Sequence, residues 1–190
     1  MSNRPNVLLL FSDEHRHDAM GCAGHERVKT PHLDALAENG TRFTQAFTPS
    51  PICVPARAAL ATGQYVHQNR CWSNAEAYSG DPVSWGHHLI EQGHRIDSIG
   101  KLHYRGGETD NGFEEEILPL YIRNGVGWIK GLLRDHEAFF DVSSYVREIG
   151  PGSDRYTDYD LGVTWAARQW LSDAGQAASE KPWVLFVSWL

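Results

Sequence analysis

The chain has 190 residues, 41% of them hydrophobic and 22% charged, with a formal net charge of −7. That is the composition of a globular protein long enough to bury a core, and the acidic balance argues against a nucleic-acid-binding surface. The three cysteines, Cys22, Cys53 and Cys71, are odd in number and form no C-x-x-C pair, which excludes a disulfide framework or a zinc ribbon and suggests a reducing, cytoplasmic location.

Residues 6–12 (NVLLLFS) form a continuous apolar run of strand length, the pattern of a strand buried on both faces. The run is too short for a membrane span, and the carboxylates Asp13 and Glu14 follow at once, so it is not read as a signal peptide. Thr30 as N-cap, Pro31 in the first turn and Gly40 as the stop predict a helix carrying Leu33, Leu36 and Ala37. The partial alternation in 41–47 (TRFTQAF) predicts a strand, and 55–62 a short helix closed by Gly63. Asp81-Pro82 is read as the opening of a helix that ends near Gly93, followed by a short strand over 95–99 (RIDSI).

Residues 105–155 carry no clear period and are read as an excursion above the sheet, with a helix around 128–140. A longer helix is predicted over 156–174 and a buried strand over 182–190 (PWVLFVSWL), with the tryptophans of this region as core. Apolar strands alternating with capped helices predict an α/β fold: a mainly parallel β-sheet sandwiched by helices. The last residues fall inside the most hydrophobic strand-like run, so residues 1–190 are expected to be the N-terminal part of a larger catalytic domain.

In open α/β sheets ligands bind beyond the carboxyl ends of the strands, and three unusual clusters fall there. Asp13-Glu14 follows the first strand and offers oxygen ligands to a hard divalent cation. Cys53-Val54-Pro55-Ala56-Arg57 opens a helix, whose free N–H groups suit an anion, with Arg57 one turn in as a bidentate partner. Lys101 adds a point charge, and His103 can donate or accept a proton. Together they suit metal-assisted cleavage of a sulfate or phosphate ester. His15, His17 and His25 do not have the spacing of a closed zinc site, and Cys22 and Cys71 read as structural thiols.

Residues 53–63, CVPARAALATG, closely resemble the sulfatase signature C-x-P-[SA]-R-x-x-x-x-T-G through Cys53, Pro55, Arg57, Thr62 and Gly63. NVLLLFSDEH, TPHLDALAENGTRFTQAF and GKLHY resemble further blocks of the formylglycine-dependent sulfatases, of the alkaline phosphatase superfamily, and they occur in family order. The resemblance implies that Cys53 is oxidised to formylglycine by a formylglycine-generating enzyme. The hydrated aldehyde then attacks the sulfur of a small-molecule sulfate monoester. It also implies Asp13, Glu14 and the Cys53-derived diol as metal ligands, with Ca2+ preferred on an all-oxygen site and Mn2+ or Mg2+ possible. The family commonly carries Asp-Asp or Asp-Gln where this chain has Asp13-Glu14.

By the same resemblance Arg57 holds the diol, Lys101 binds sulfate oxygens and His103 orients or protonates. A later histidine, a second metal-binding pair and a second lysine are implied beyond Leu190. The runner-up is a phosphonate monoester or phosphodiester hydrolase, which shares the CxPAR tag. Those enzymes place a substrate-contacting asparagine where this chain has Asn74, but tend to have Tyr and Thr in place of Lys101 and His103. An inactive, oxyanion-binding fragment is the non-enzymatic alternative. Tyr121, Trp128 and Tyr145 are candidates to shape the pocket for the alcohol.

Overall fold

A computed structural model describes residues 4–127, 150–176 and 181–190. Four strands, β1 (Val7–Ser12), β2 (Arg95–Lys101), β3 (Glu115–Leu120) and β4 (Trp183–Trp189), form one sheet in the order β1-β4-β2-β3. Every pairing is parallel, so all four carboxyl ends meet at one edge. Helices α1 (Pro31–Asn39), α2 (Cys53–Thr62), α3 (Val66–Asn69), α4 (Trp85–Glu91) and α5 (Arg155–Gln176) connect and flank the strands. The helix expected over 128–140 lies outside the described residues.

The period-2 alternation of β4 divides the core. Phe186 points to one face, among Ala58, Ala61, Leu102 and Tyr104. Leu185 and Val187 point to the other, against Ile99 and the α5 residues Val163, Ala167 and Trp170. Each face is thus covered by helix, as the sandwich requires. Leu185 is fully buried. Its truncation to alanine would cost about 2–5 kcal/mol.

Several expectations are corrected. β1 is not buried on both faces: Val7, Leu8 and Leu10 are 45%, 42% and 51% exposed, because β1 is an edge strand and the described helices pack against β2 and β4 instead. Residues 41–47 form no strand, and Phe43 and Phe47 project from a turn rather than into a core. Asp81-Pro82 does not open a helix. α4 begins at Trp85, where the Ser84 hydroxyl accepts from the His87 N–H. The tryptophans are not uniformly core: Trp170 is buried but Trp165 is exposed.

β3 is an edge strand of EEILPL. Ile99 pairs with Ile117 but Lys101 with Leu120, so β3 carries one extra residue across this stretch. Leu118 adopts φ 50° at this bulge, and Pro119, which has no N–H to give a ladder, sits within it. The Tyr159 hydroxyl of α5 donates to the Leu118 carbonyl at 2.8 Å. Opposite the bulge, Gly100 has φ 99°, and a β-carbon there would collide with the Ser188 carbonyl. The local irregularity delivers Lys101 and His103 to the carboxyl edge.

Candidate active site

Asp13 is the first residue after β1, and its side chain is 12% exposed. Its Oδ2 accepts from Lys101 Nζ, and its Oδ1 lies 3.7 Å from an Arg57 guanidinium nitrogen. Lys101 is the last residue of β2 and Arg57 lies one turn into α2, so three separate elements converge on one carboxylate. Arg57 also donates to the Lys101 carbonyl and, at 3.0 Å, to the Ser188 hydroxyl of β4. Its guanidinium carbon stands 5.0 Å from the centre of the Phe11 ring. Burial draws Arg57 below its ordinary pKa, opposed chiefly by the nearby Asp13 charge. Arginine nonetheless stays a cation. Its Nε has no hydrogen-bond partner among the described residues.

His103 has φ 51° and its backbone N–H donates to the Leu120 carbonyl at 2.7 Å. Burial, then the charges of Lys101 and Arg57, push its imidazole pKa down to about 4, against a smaller opposite pull from Asp13. The ring is therefore neutral at physiological pH, and its buried Nδ1 has no partner among the described residues. Glu14 is also left-handed, at φ 57°, which turns the chain sharply after Asp13. Left-handed backbone at non-glycine residues is a mark of functional sites, and two such residues flank this cluster.

A cleft of about 930 Å³ opens at this edge. Asp13, Glu14, Lys101 and His103 line one side; Tyr156, Asp160 and Leu161 of α5 line the other. Asp160 also accepts from the Leu190 N–H at 2.9 Å, fixing the chain as it leaves β4 beside the cleft. Cys53 heads α2 and is partly buried. Its sulfur and the Val54 N–H both contact Asn74 Oδ1, at 3.6 and 3.2 Å. Cys53, Asn74 and the buried Arg57 do not line the cleft itself, and Arg57 lies within electrostatic reach of both Cys53 and the cleft-lining Asp13.

Asp13 and Glu14 offer only oxygen, which fits a hard divalent cation. They do not make a complete ligand set: no group of three or more His, Cys, Asp or Glu among the described residues is arranged to hold a metal. His25 turns Nδ1 to the Val28 N–H at 2.9 Å. Tyr121 does not reach the cleft; its hydroxyl donates to Glu116. Trp128 and Tyr145 lie outside the described residues. Sequence reasoning missed Ser188 and Asp160. A lone serine in the run PWVLFVSWL was a signal for the first; nothing marked the second.

The sulfatase family model matches residues 5–190. The chain belongs to the sulfatase family. This sulfatase chain is 29% identical to a choline-sulfatase of Rhizobium meliloti over 98% of its length, covering 38% of that protein. It is 37% identical to an ulvan-active sulfatase of Formosa agariphila over 77% of its length, covering 28% of that protein. It is 33% identical to arylsulfatase K of Danio rerio over 97% of its length, covering 33% of that protein. The sulfatase chain thus spans roughly a third of these curated relatives.

Its fold is shared with solved structures. A chain in complex with its substrate D-glucosamine-2-N,6-O-disulfate matches with a TM-score of 0.69 at 23% identity, over 98% of this sulfatase and 34% of that chain. The phosphonate monoester hydrolase of Agrobacterium radiobacter matches with a TM-score of 0.67 at 24% identity, over 98% and 41%. Among the described residues, no helix is long and apolar enough to cross a membrane.

Proposed function

We propose that residues 1–190 are the N-terminal part of a catalytic domain that hydrolyses a small-molecule sulfate monoester, with Cys53 as the precursor of a formylglycine nucleophile. The observation that carries this reading is the convergence of Arg57 and Lys101 on Asp13, with His103 lining the same cleft, beside the helix that Cys53 opens. Family membership supports it. A cytoplasmic location is part of the same proposal, resting on the odd number of cysteines and the lack of a C-x-x-C pair in the sequence.

Each side chain has work that its position suits. Arg57, braced by Ser188 and the Lys101 carbonyl, presents a fixed cation to a tetrahedral oxyanion. Lys101 is held by Asp13 and can turn its ammonium to sulfate oxygens when that carboxylate is otherwise engaged. His103, neutral at physiological pH, acts as a hydrogen-bonding group toward substrate rather than as a standing cation. Asp13 and Glu14 would supply oxygen ligands for a divalent metal, Ca2+ by preference and Mn2+ or Mg2+ otherwise, with the Cys53-derived diol beside them. Such a cation would stabilise charge developing in the transition state. One diol oxygen would lose its proton and attack sulfur as the S–O bond to the alcohol breaks and the alcohol leaves with a proton. The second hydroxyl would then give up its proton, the C–O bond to sulfate would break, and the aldehyde would re-form.

A phosphonate monoester hydrolase is the second reading, favoured by the position of Asn74 against Cys53. Turnover of nitrophenyl sulfate against a phenylphosphonate ester, by the enzyme that contains this chain, decides between them. Faster sulfate turnover is expected, and faster phosphonate turnover overturns the choice. Co-production with a formylglycine-generating enzyme should lower the mass of the Cys53 peptide by about 18 Da. An unmodified thiol would favour the inactive-fragment alternative.

A further inference from the structure

We infer that Asn74 is a positioning residue for Cys53, capping α2 from a separate segment of the chain, and that Gly127 holds Asn74 in place. The inference rests on the reading of Cys53 as nucleophile precursor. The first turn of a helix leaves N–H groups without intrahelical partners, and a polar side chain at the N-cap normally receives one. The N-cap of α2 is Ile52, which has no such group, and the third helical residue is Pro55, which has no N–H. Asn74 supplies the missing acceptor: its Oδ1 receives the Val54 N–H at 3.2 Å and the Cys53 thiol at 3.6 Å. Because an amide N–H can only donate, the contact with Val54 fixes which end of the Asn74 amide faces the helix.

The support behind Asn74 is built as well. It lies in a turn closed by Glu76 N–H to the Ser73 carbonyl at 3.1 Å and by Ala75 N–H to the Ser73 hydroxyl at 3.2 Å. Gly127, at φ 66°, packs directly on this turn. A β-carbon there would collide with the Asn74 carbonyl and stand 3.2 Å from Ala75 Cα. The segment that carries Gly127 is anchored in turn by Ile122 N–H to the Tyr104 carbonyl at 3.0 Å, next to His103. The residue that aims Cys53 and the residue that follows His103 are thus tied through one short segment.

The test is made on the purified enzyme that contains this chain, with Cys53 left as thiol, and it needs no substrate. Hydrogen exchange of the Val54 amide and alkylation of Cys53 by iodoacetamide, with Cys22 as internal reference, are compared in Asn74→Ala, Asn74→Asp and Gly127→Ala. Asn74→Ala should speed Val54 exchange by about fivefold or more, the size of a lost cap, and should speed Cys53 alkylation, because the thiol loses its acceptor and the side chain against it. Gly127→Ala should do the same without touching either group. Asn74→Asp keeps an acceptor oxygen on the same stem and should restore slow Val54 exchange, while its charge beside the sulfur slows Cys53 alkylation. A fall in melting temperature with both readouts unchanged overturns the inference, as does failure of the aspartate to restore slow Val54 exchange. If Asn74→Ala does not fold, the other two variants carry the comparison. Since nothing here measures turnover, absence of sulfatase activity and absence of the cap are separate results.

Discussion

Arg57 and Ser188 stand 131 positions apart in the chain and are joined by a hydrogen bond of 3.0 Å between the guanidinium and the hydroxyl. The bond ties the first turn of α2 to the end of a central strand. It holds a cation that is only 2% exposed. Ser188→Ala should destabilise the fold by about 1–3 kcal/mol, because a buried charged donor loses its acceptor. The midpoint of urea unfolding is the measurement, and an unchanged midpoint counts against the role.

Asp13 is a carboxylate shared by two buried cations. Removing one partner of such a group leaves uncompensated charge inside the protein. Asp13→Ala should therefore cost about 3–5 kcal/mol. The double variant Asp13→Ala with Lys101→Met should cost less than the sum of the singles, since it removes a charge together with its partner. A double-mutant cycle on unfolding free energy checks this, and strict additivity argues against the coupling.

His103 predicts an acid limb in stability. Its folded pKa is near 4, while the unfolded chain takes up the proton at an ordinary histidine value of 6.5. Between those values the unfolded state binds more protons, so stability falls as pH drops from 6.5 toward 4 and is indifferent to this group above that range. His103→Asn, with a residue that tolerates left-handed backbone, should flatten that slope. Melting temperature against pH for the two proteins is the comparison, and parallel curves would rule the group out.

Arg57→Lys keeps the charge and loses the fork. In the enzyme that contains this chain, kcat per formylglycine-bearing molecule should fall by about 10²–10³, the usual loss for one preorganised donor. Mass spectrometry of the Cys53 peptide separates this effect from failed conversion, because the arginine is also part of the signature. Undiminished kcat in fully converted protein would remove Arg57 from the transition state.

Much of this was legible in the sequence because the signals were local. NVLLLFS and PWVLFVSWL read as strands by their unbroken apolar runs, and 55–62 read as a short helix closed by Gly63, which the structure begins two residues earlier, at Cys53. β3 was not legible. It is short, starts with glutamates and contains Pro119, each of which weakens a strand pattern, and it exists because β2 offers it an edge. The reverse error, a strand at 41–47, came from alternation with no partner to pair against. The partners of Arg57 were also hidden, since the contact with Ser188 depends on the packing of α2 against the sheet rather than on spacing.

The bulge in β3 has a consequence for how this protein tolerates change. Strand side chains alternate sides, so the count of residues between Ile117 and Leu120 sets the phase of everything beyond it. Deleting Pro119 would leave an ordinary-looking strand yet pull the Leu120 carbonyl away from the N–H of His103, which it now receives at 2.7 Å. A substitution of the exposed Leu118 or the half-buried Leu120 changes a side chain and leaves that count intact. An indel of one residue does not, and it would misalign the histidine without altering a single atom of its chemistry.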